Sequence, residues 1–130
     1  MRHWLLIRAA LCAVALGAGT ARAHHSFAVF FDSQKTLSVT GVVKEFRFTN
    51  PHGLIALVVP GKAGARDEWK VETNSPSILR RRGWTVDSLK VGDSVTIEGW
   101  PARDNSHYLR LRKATRANGE LIGKPFGASD

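Results

Sequence analysis

From Thr36 onward, apolar and polar residues alternate in short runs broken by glycine, proline and asparagine, the pattern of successive β-strands. "TLSVTGVVKEFRF" carries Leu37 and Val39 on one parity and Val42, Phe46 and Phe48 on the other. The change of phase falls at Gly41, where the backbone tolerates a bulge. It predicts a long first strand, bent so that its halves serve two sheets, as a small closed barrel requires. "GLIALVV", Gly53 to Val59, is apolar on both parities and predicts a strand covered on both faces. "PGKAGARD" is a hairpin loop, after which "EWKVET" places Trp69 and Val71 inward and Lys70 and Glu72 outward.

The alternation breaks once. "SPSILRRRGW" offers Ser75 as N-cap, Pro76 at the first helical position and Gly83 past the end. Arg80, Arg81 and Arg82 fall in the last turn of this short helix, where they complement its dipole. Two more strands follow. "SVTIEGW" points Val95 and Ile97 inward, and "HYLRLRKAT" sets His107, Leu109 and Leu111 against Arg110 and Arg112. The expected fold is all-β: an OB-like five-stranded barrel with one short helix between strands 3 and 4, plugging a barrel end. Another small antiparallel barrel or sandwich with an incidental helix is the alternative. Residues 24–122 form the single domain of this reading, and 123–130 ("GKPFGASD") a loose tail.

The first residues do not belong to this pattern. "MRHWLLIR" supplies Arg2 and Arg8, and "AALCAVALGA" is an apolar stretch of about ten residues, too short to span a bilayer. Ala21 and Ala23 form the small-x-small signature of signal-peptidase cleavage, so residues 1–23 read as a signal peptide cut after Ala23. A cut after Ala21 and an uncleaved short anchor are the alternatives. The address is export, to the periplasm or beyond. Removal of residues 1–23 leaves 107 of 130 residues and takes Arg2, Arg8 and Arg22 from the 19 basic ones, so 16 stand against 11 acidic residues, a net +5. Cys12, the single cysteine, leaves too, so the domain depends on its apolar core without a disulfide.

"AHHSFAVFFD", "GVVKEFRFTNPHG", "EWKVETNSPSILRRRGW" and "LKVGDSVTIEGWPARDNS" occur in that order. Together they resemble a group of small exported bacterial proteins catalogued as a domain of unknown function, over Ala23 to about Ile122. That family carries His-His-Ser-Phe behind its signal and Asn-Pro-His after the first long strand, here His24 to Phe27 and Asn50 to His52. Phe48 stands where tryptophan is common in the family, one large aromatic for another. The resemblance implies no activity and carries over no catalytic residue.

Motifs for catalysis are missing from the sequence: there is no G-x-S-x-G elbow, no H-E-x-x-H and no complete phosphate loop, so the expectation is a non-enzymatic binding protein. The histidines carry the most specific chemistry. After cleavage at Ala23, the α-amine and imidazole of His24 can chelate one metal ion, since the amine has a pKa of about 7.7–8.0 and loses its proton readily. A further imidazole completes a three-nitrogen site suited to copper. His52, behind Pro51, is the first candidate and His107 the second; His25 points away from His24 if the segment is extended. Cleavage after Ala21 would instead start the chain Arg-Ala-His, whose amine, two amides and imidazole wrap Cu(II) in a square plane. The alternative to copper is an anion- or protein-binding module, with Arg110, Arg112, Lys113 and Arg116 on one strand as the anion contacts. Nucleic acid is a poor partner for an exported protein, although Phe46, Phe48, Trp100 and Tyr108 are of the type that stacks bases.

Overall fold

A computed structural model describes residues 25–130, with side chains from Phe27 onward. The leader and His24 lie outside the described residues, as does the His25 side chain. Five strands close a barrel in the order β1-β2-β3-β5-β4. They are β1 (Leu37–Arg47), β2 (Leu54–Pro60), β3 (Arg66–Glu72), β4 (Ser94–Pro101) and β5 (Tyr108–Arg116), with α1 (His25–Phe30) ahead of them and α2 (Pro76–Arg81) between β3 and β4. This is the OB order expected from the pattern.

The first strand is shared as predicted: Leu37 to Val42 pair with β4, and Val42 to Arg47 with β2. The phase slip, however, sits at Lys44 and not at Gly41. Register passes from Val43↔Leu57 to Glu45↔Ala56, leaving Lys44 as the extra residue. Gly41 and Val43 are therefore buried on one parity, and half-buried Phe46 packs on the core beyond the bulge, while Val42 and Leu37 are exposed. Gly41 is required for another reason. A Cβ there would stand 2.7 Å from the Val58 carbonyl oxygen, so only glycine allows β2 to approach at the bend.

Ile55, Ala56 and Leu57 of β2 are buried on both parities, as expected. Ala63 and Gly64 turn the hairpin with positive φ (53° and 79°). The barrel is completed by a parallel seam of only three pairs, Lys70↔Tyr108, Val71↔Leu109 and Glu72↔Arg110. Inside lie Val43, Ile55, Leu57, Val71, Val95, Ile97, Leu109 and Leu111, with Leu79 of α2 closing one end. Gly83, at φ 88°, ends α2 as predicted. Ser75 precedes the helix, but its hydroxyl meets Ser77 Oγ at 3.1 Å and caps no helix N–H.

Four expectations need correction. Trp69 follows the predicted parity but is only half-buried, because β5 does not extend beside it. His107 is exposed rather than inward with Leu109, since it precedes the first paired residue of β5. Residues 25–30 are helical, not extended, and α1 packs through Phe27 on Trp100, ring centroids 5.5 Å apart. The segment beyond residue 122 is docked rather than loose. Phe126 is buried, its N–H donates to the Arg112 carbonyl at 2.8 Å, and Lys124 N–H donates to the Arg82 carbonyl at 2.7 Å. Arg82 then holds Asp130 at 2.6 Å. Among the described residues, no helix is long and apolar enough to cross a membrane.

Candidate functional site

The parallel seam sets the chemistry of one end of the barrel. Register places Glu72 beside Arg110, so opposite charges meet where β3 leaves the sheet. Arg110 is buried, and its Nη1 donates to Glu72 Oε1 at 2.6 Å and to the Thr73 carbonyl at 3.2 Å; Nη2 donates to Asn74 Oδ1. Tyr108, two residues back on β5, donates its hydroxyl to the other Glu72 oxygen at 2.8 Å. Burial, reinforced by this carboxylate, pushes the Tyr108 phenol up to about 12. Burial also lowers the Arg110 guanidinium from its usual value, while Glu72 pulls it back. The pair is held by mutual neutralisation, which a buried charge requires.

His52 reaches the same place from the loop between β1 and β2. Thr73 N–H donates to the Gly53 carbonyl at 3.0 Å, which ties that loop to the end of β3. A Cβ at Gly53 would stand 2.6 Å from both the Arg47 carbonyl and Thr73 Oγ1, so no other residue fits there. The exposed His52 ring then lies with Nδ1 3.5 Å from Arg110 Nη1. A guanidinium only donates, so in this contact Nδ1 accepts and the ring proton sits on Nε2. Asn74, accepting through Oδ1, keeps its amide hydrogens free to donate.

These groups floor a cleft of about 880 Å³ whose apolar wall is Phe27, Phe30 and Phe31, with Ile78 from α2 and Ser129 and Asp130 at the rim. Two sets of sequence candidates are thereby joined: His52 and Arg110, expected to serve different ligands, are neighbours. The rest are dispersed. Arg110, expected outward, is buried, and the other three basic candidates are engaged elsewhere: Arg112 with Glu98, Lys113 with Glu98 at 3.1 Å, and Arg116 Nη2 with the Ser88 carbonyl at 3.0 Å. They form no common anion patch. The Lys113 and Arg112 contacts hold the Glu98 carboxyl below its usual value. His107 is absent from this cleft's lining and stacks on Trp69, with centroids 4.4 Å apart and planes at 8°. Among the described residues, no three His, Cys, Asp or Glu side chains gather as a metal group. Glu72, Asn74 and Phe30 were not singled out from the sequence, and Tyr108 was named only as an aromatic of the base-stacking type, since only the closed fold brings them near Arg110.

The sequence from residue 11 to 110 matches the profile of a family of unknown function, DUF6152. The chain belongs to that family. For a DUF6152 protein, the resemblance noted from the motifs thus holds at the level of the family. No curated protein matches it. Among solved structures, the DUF6152 chain is similar to the mitochondrial single-stranded DNA-binding protein Rim1 of S. cerevisiae, with 13% identity and TM-score 0.48, over 69% of this chain and 95% of Rim1. It is also similar to TiaS, crystallised with tRNA and ATP, at 19% identity and TM-score 0.45, over 66% of this chain and 19% of TiaS.

Proposed function

We propose that this DUF6152 protein is an exported, non-enzymatic binding module whose small ligand lies in the cleft beneath α1. The observation that carries this reading is the cleft's division into an aromatic wall and a hydrogen-bonding floor. Arg110 and Glu72 satisfy each other, so the floor offers the ligand the Asn74 amide and His52 Nε2–H, both donors. A ligand with an apolar body and a carbonyl or carboxylate oxygen fits that division. Export rests on Arg2, Arg8 and the Ala21–Ala23 cleavage signature. Titration with 1-naphthylacetate, followed by amide and side-chain NMR, tests the cleft. The expected result is shifts at Phe27 to Phe31 and at the Asn74 side-chain amide, weakened by Phe30→Ala. Shifts confined to other faces of the barrel would overturn it.

Copper is a second reading, supported by one feature: α1 starts at His25 and lays Phe27 and Ala28 on the cleft that holds His52. His24 directly precedes that helix. Copper bound by His24 and His52 requires the His52 ring to turn away from Arg110, because a metal-bound imidazole hands its second N–H to an acceptor and a guanidinium is none. Protein beginning at His24 should bind one Cu(II) through its free amine, and a chain with one extra methionine before His24 should bind it far more weakly. Equal affinities would end this reading and leave the first intact.

A further inference from the structure

The cleft beneath α1 is lined by the Arg110 guanidinium and by two carboxylates, Glu72 and Asp130. Negative charge is therefore in excess before any ligand enters. Each carboxylate is already held, Glu72 by Arg110 and Asp130 by Arg82, both at 2.6 Å. The second Glu72 oxygen accepts from the Tyr108 hydroxyl at 2.8 Å, and Asp130 Oδ2 accepts from Gly127 N–H at 2.6 Å. A ligand carboxylate would have to share one guanidinium with Glu72 and enter the cleft that Asp130 lines. It would give up its hydration without gaining a counter-charge of its own, which is costly. A ligand cation fares no better, because the carboxylates it would seek are neutralised and the groups left over are donors.

Those donors are fixed by Arg110. Asn74, only 4% exposed, must turn Oδ1 to the guanidinium, since Nη2 can only donate, and its amide hydrogens are left to the cleft that it lines. His52 Nδ1 faces the same guanidinium at 3.5 Å. A second ring proton would set donor against donor and cation against cation, so the imidazole stays neutral with its one N–H on Nε2. On the apolar side, Phe30 is 64% exposed whereas Phe31 beside it is buried, so the wall offers an aromatic face that the protein does not cover. Taking this cleft as the binding site, we infer that its ligand is uncharged: an apolar body packed on Phe27 and Phe30, ending in an ester, lactone or ketone carbonyl that accepts from Asn74 Nδ2 and His52 Nε2. A carbonyl oxygen brings two lone pairs, no proton and no charge, the complement of two neutral donors.

Three probes that share one body test the polar end: methyl 1-naphthylacetate, 1-naphthylacetate and 2-(1-naphthyl)ethylamine, titrated into the mature protein at pH 7.5 and followed by amide and side-chain NMR. The ester should bind about fivefold or more tightly than the acid, and the amine should bind weakest. Asn74→Asp keeps an oxygen for Arg110 but replaces the amide donor, and should weaken ester binding about tenfold or more. Asp130→Asn removes one carboxylate from the cleft and should narrow the preference for ester over acid. The two readings of the cleft fail differently. Acid or amine binding there as tightly as the ester overturns the uncharged ligand and leaves the cleft intact as a site. No shift at Phe27 to Phe31 with any probe overturns both. Unchanged ester affinity in Asn74→Asp overturns the assigned donor and the proposal with it, and the wild-type ranking decides the matter even where that variant folds poorly.

Discussion

The Tyr108 hydroxyl donates to Glu72, which lies at the floor of the cleft beneath α1. Because burial and that bond favour the protonated phenol, its folded pKa lies near 12 against an ordinary 10.0. A raised pKa stabilises the fold fully below pH 10.0, and that contribution is lost as pH climbs to about 12. Urea unfolding at pH 8, 10 and 11.5 should therefore show a steep loss for the wild type over the upper interval. Tyr108→Phe should begin about 1 kcal/mol lower at pH 8, having lost one hydrogen bond, and should fall less steeply. Equal slopes would place the phenol outside the linkage. Arg110 shows the limit of parity at this scale. Its alternation with Leu109 marks it outward, yet the Glu72 and Asn74 contacts bury it, and those partners lie about 36 to 38 residues away in sequence. Trp69 errs in the opposite sense. Its inward parity suggests a loss of about 3–5 kcal/mol on truncation to alanine, but the open seam leaves the ring half-buried, and the lower end of that range applies.

Elements with a strict period were legible, and segments held by distant partners were not. The five strands and α2 were anticipated because their alternation, Pro76 and Gly83 are local signals. The slip in β1 was visible but misplaced by three residues, since glycine marks a bulge readily, yet Lys44 takes it. α1 has too few residues for a helical period to declare itself; Phe27 against Trp100 and Phe31 bridged to Ala102 hold it in place. The tail carries only one large apolar residue, Phe126, and its glycines suggest a loose chain. Gly123 instead serves the packing, because a Cβ there would run into the Trp84 indole. A chain ending at Gly123 exposes what Phe126 covers and strips Arg82 of the Pro125 carbonyl and Asp130. It should lose about 2–4 kcal/mol in urea unfolding, comparable to emptying a large aromatic site. A loss under about half a kcal/mol would mean that the segment adds nothing to the fold.

At the scale of the molecule, the strand order followed from the sequence because three strands, a helix and two strands close into few barrels. The cleft did not follow, because it is built from α1, the β1–β2 loop, the end of β3, β5 and residues 128–130, which meet only after closure. One consequence concerns how the chain can be rewired. Phe27 and Asp130 line the same cleft, so the two ends of the described fold lie on one side of the barrel. A circular permutant that joins Asp130 to His24 through a flexible linker of about six residues, and opens the chain within the exposed Lys62–Gly64 turn, should keep every strand pairing. One opened at Val42, which pairs with Val58 on one side and Ser94 on the other, should fail to fold. Circular dichroism and amide NMR separate the two; equal behaviour would refute the shared role of β1. The first permutant has one more use: with His24 in mid-chain its α-nitrogen is an amide, so cleft ligands should still bind while a chelate built on that nitrogen cannot form.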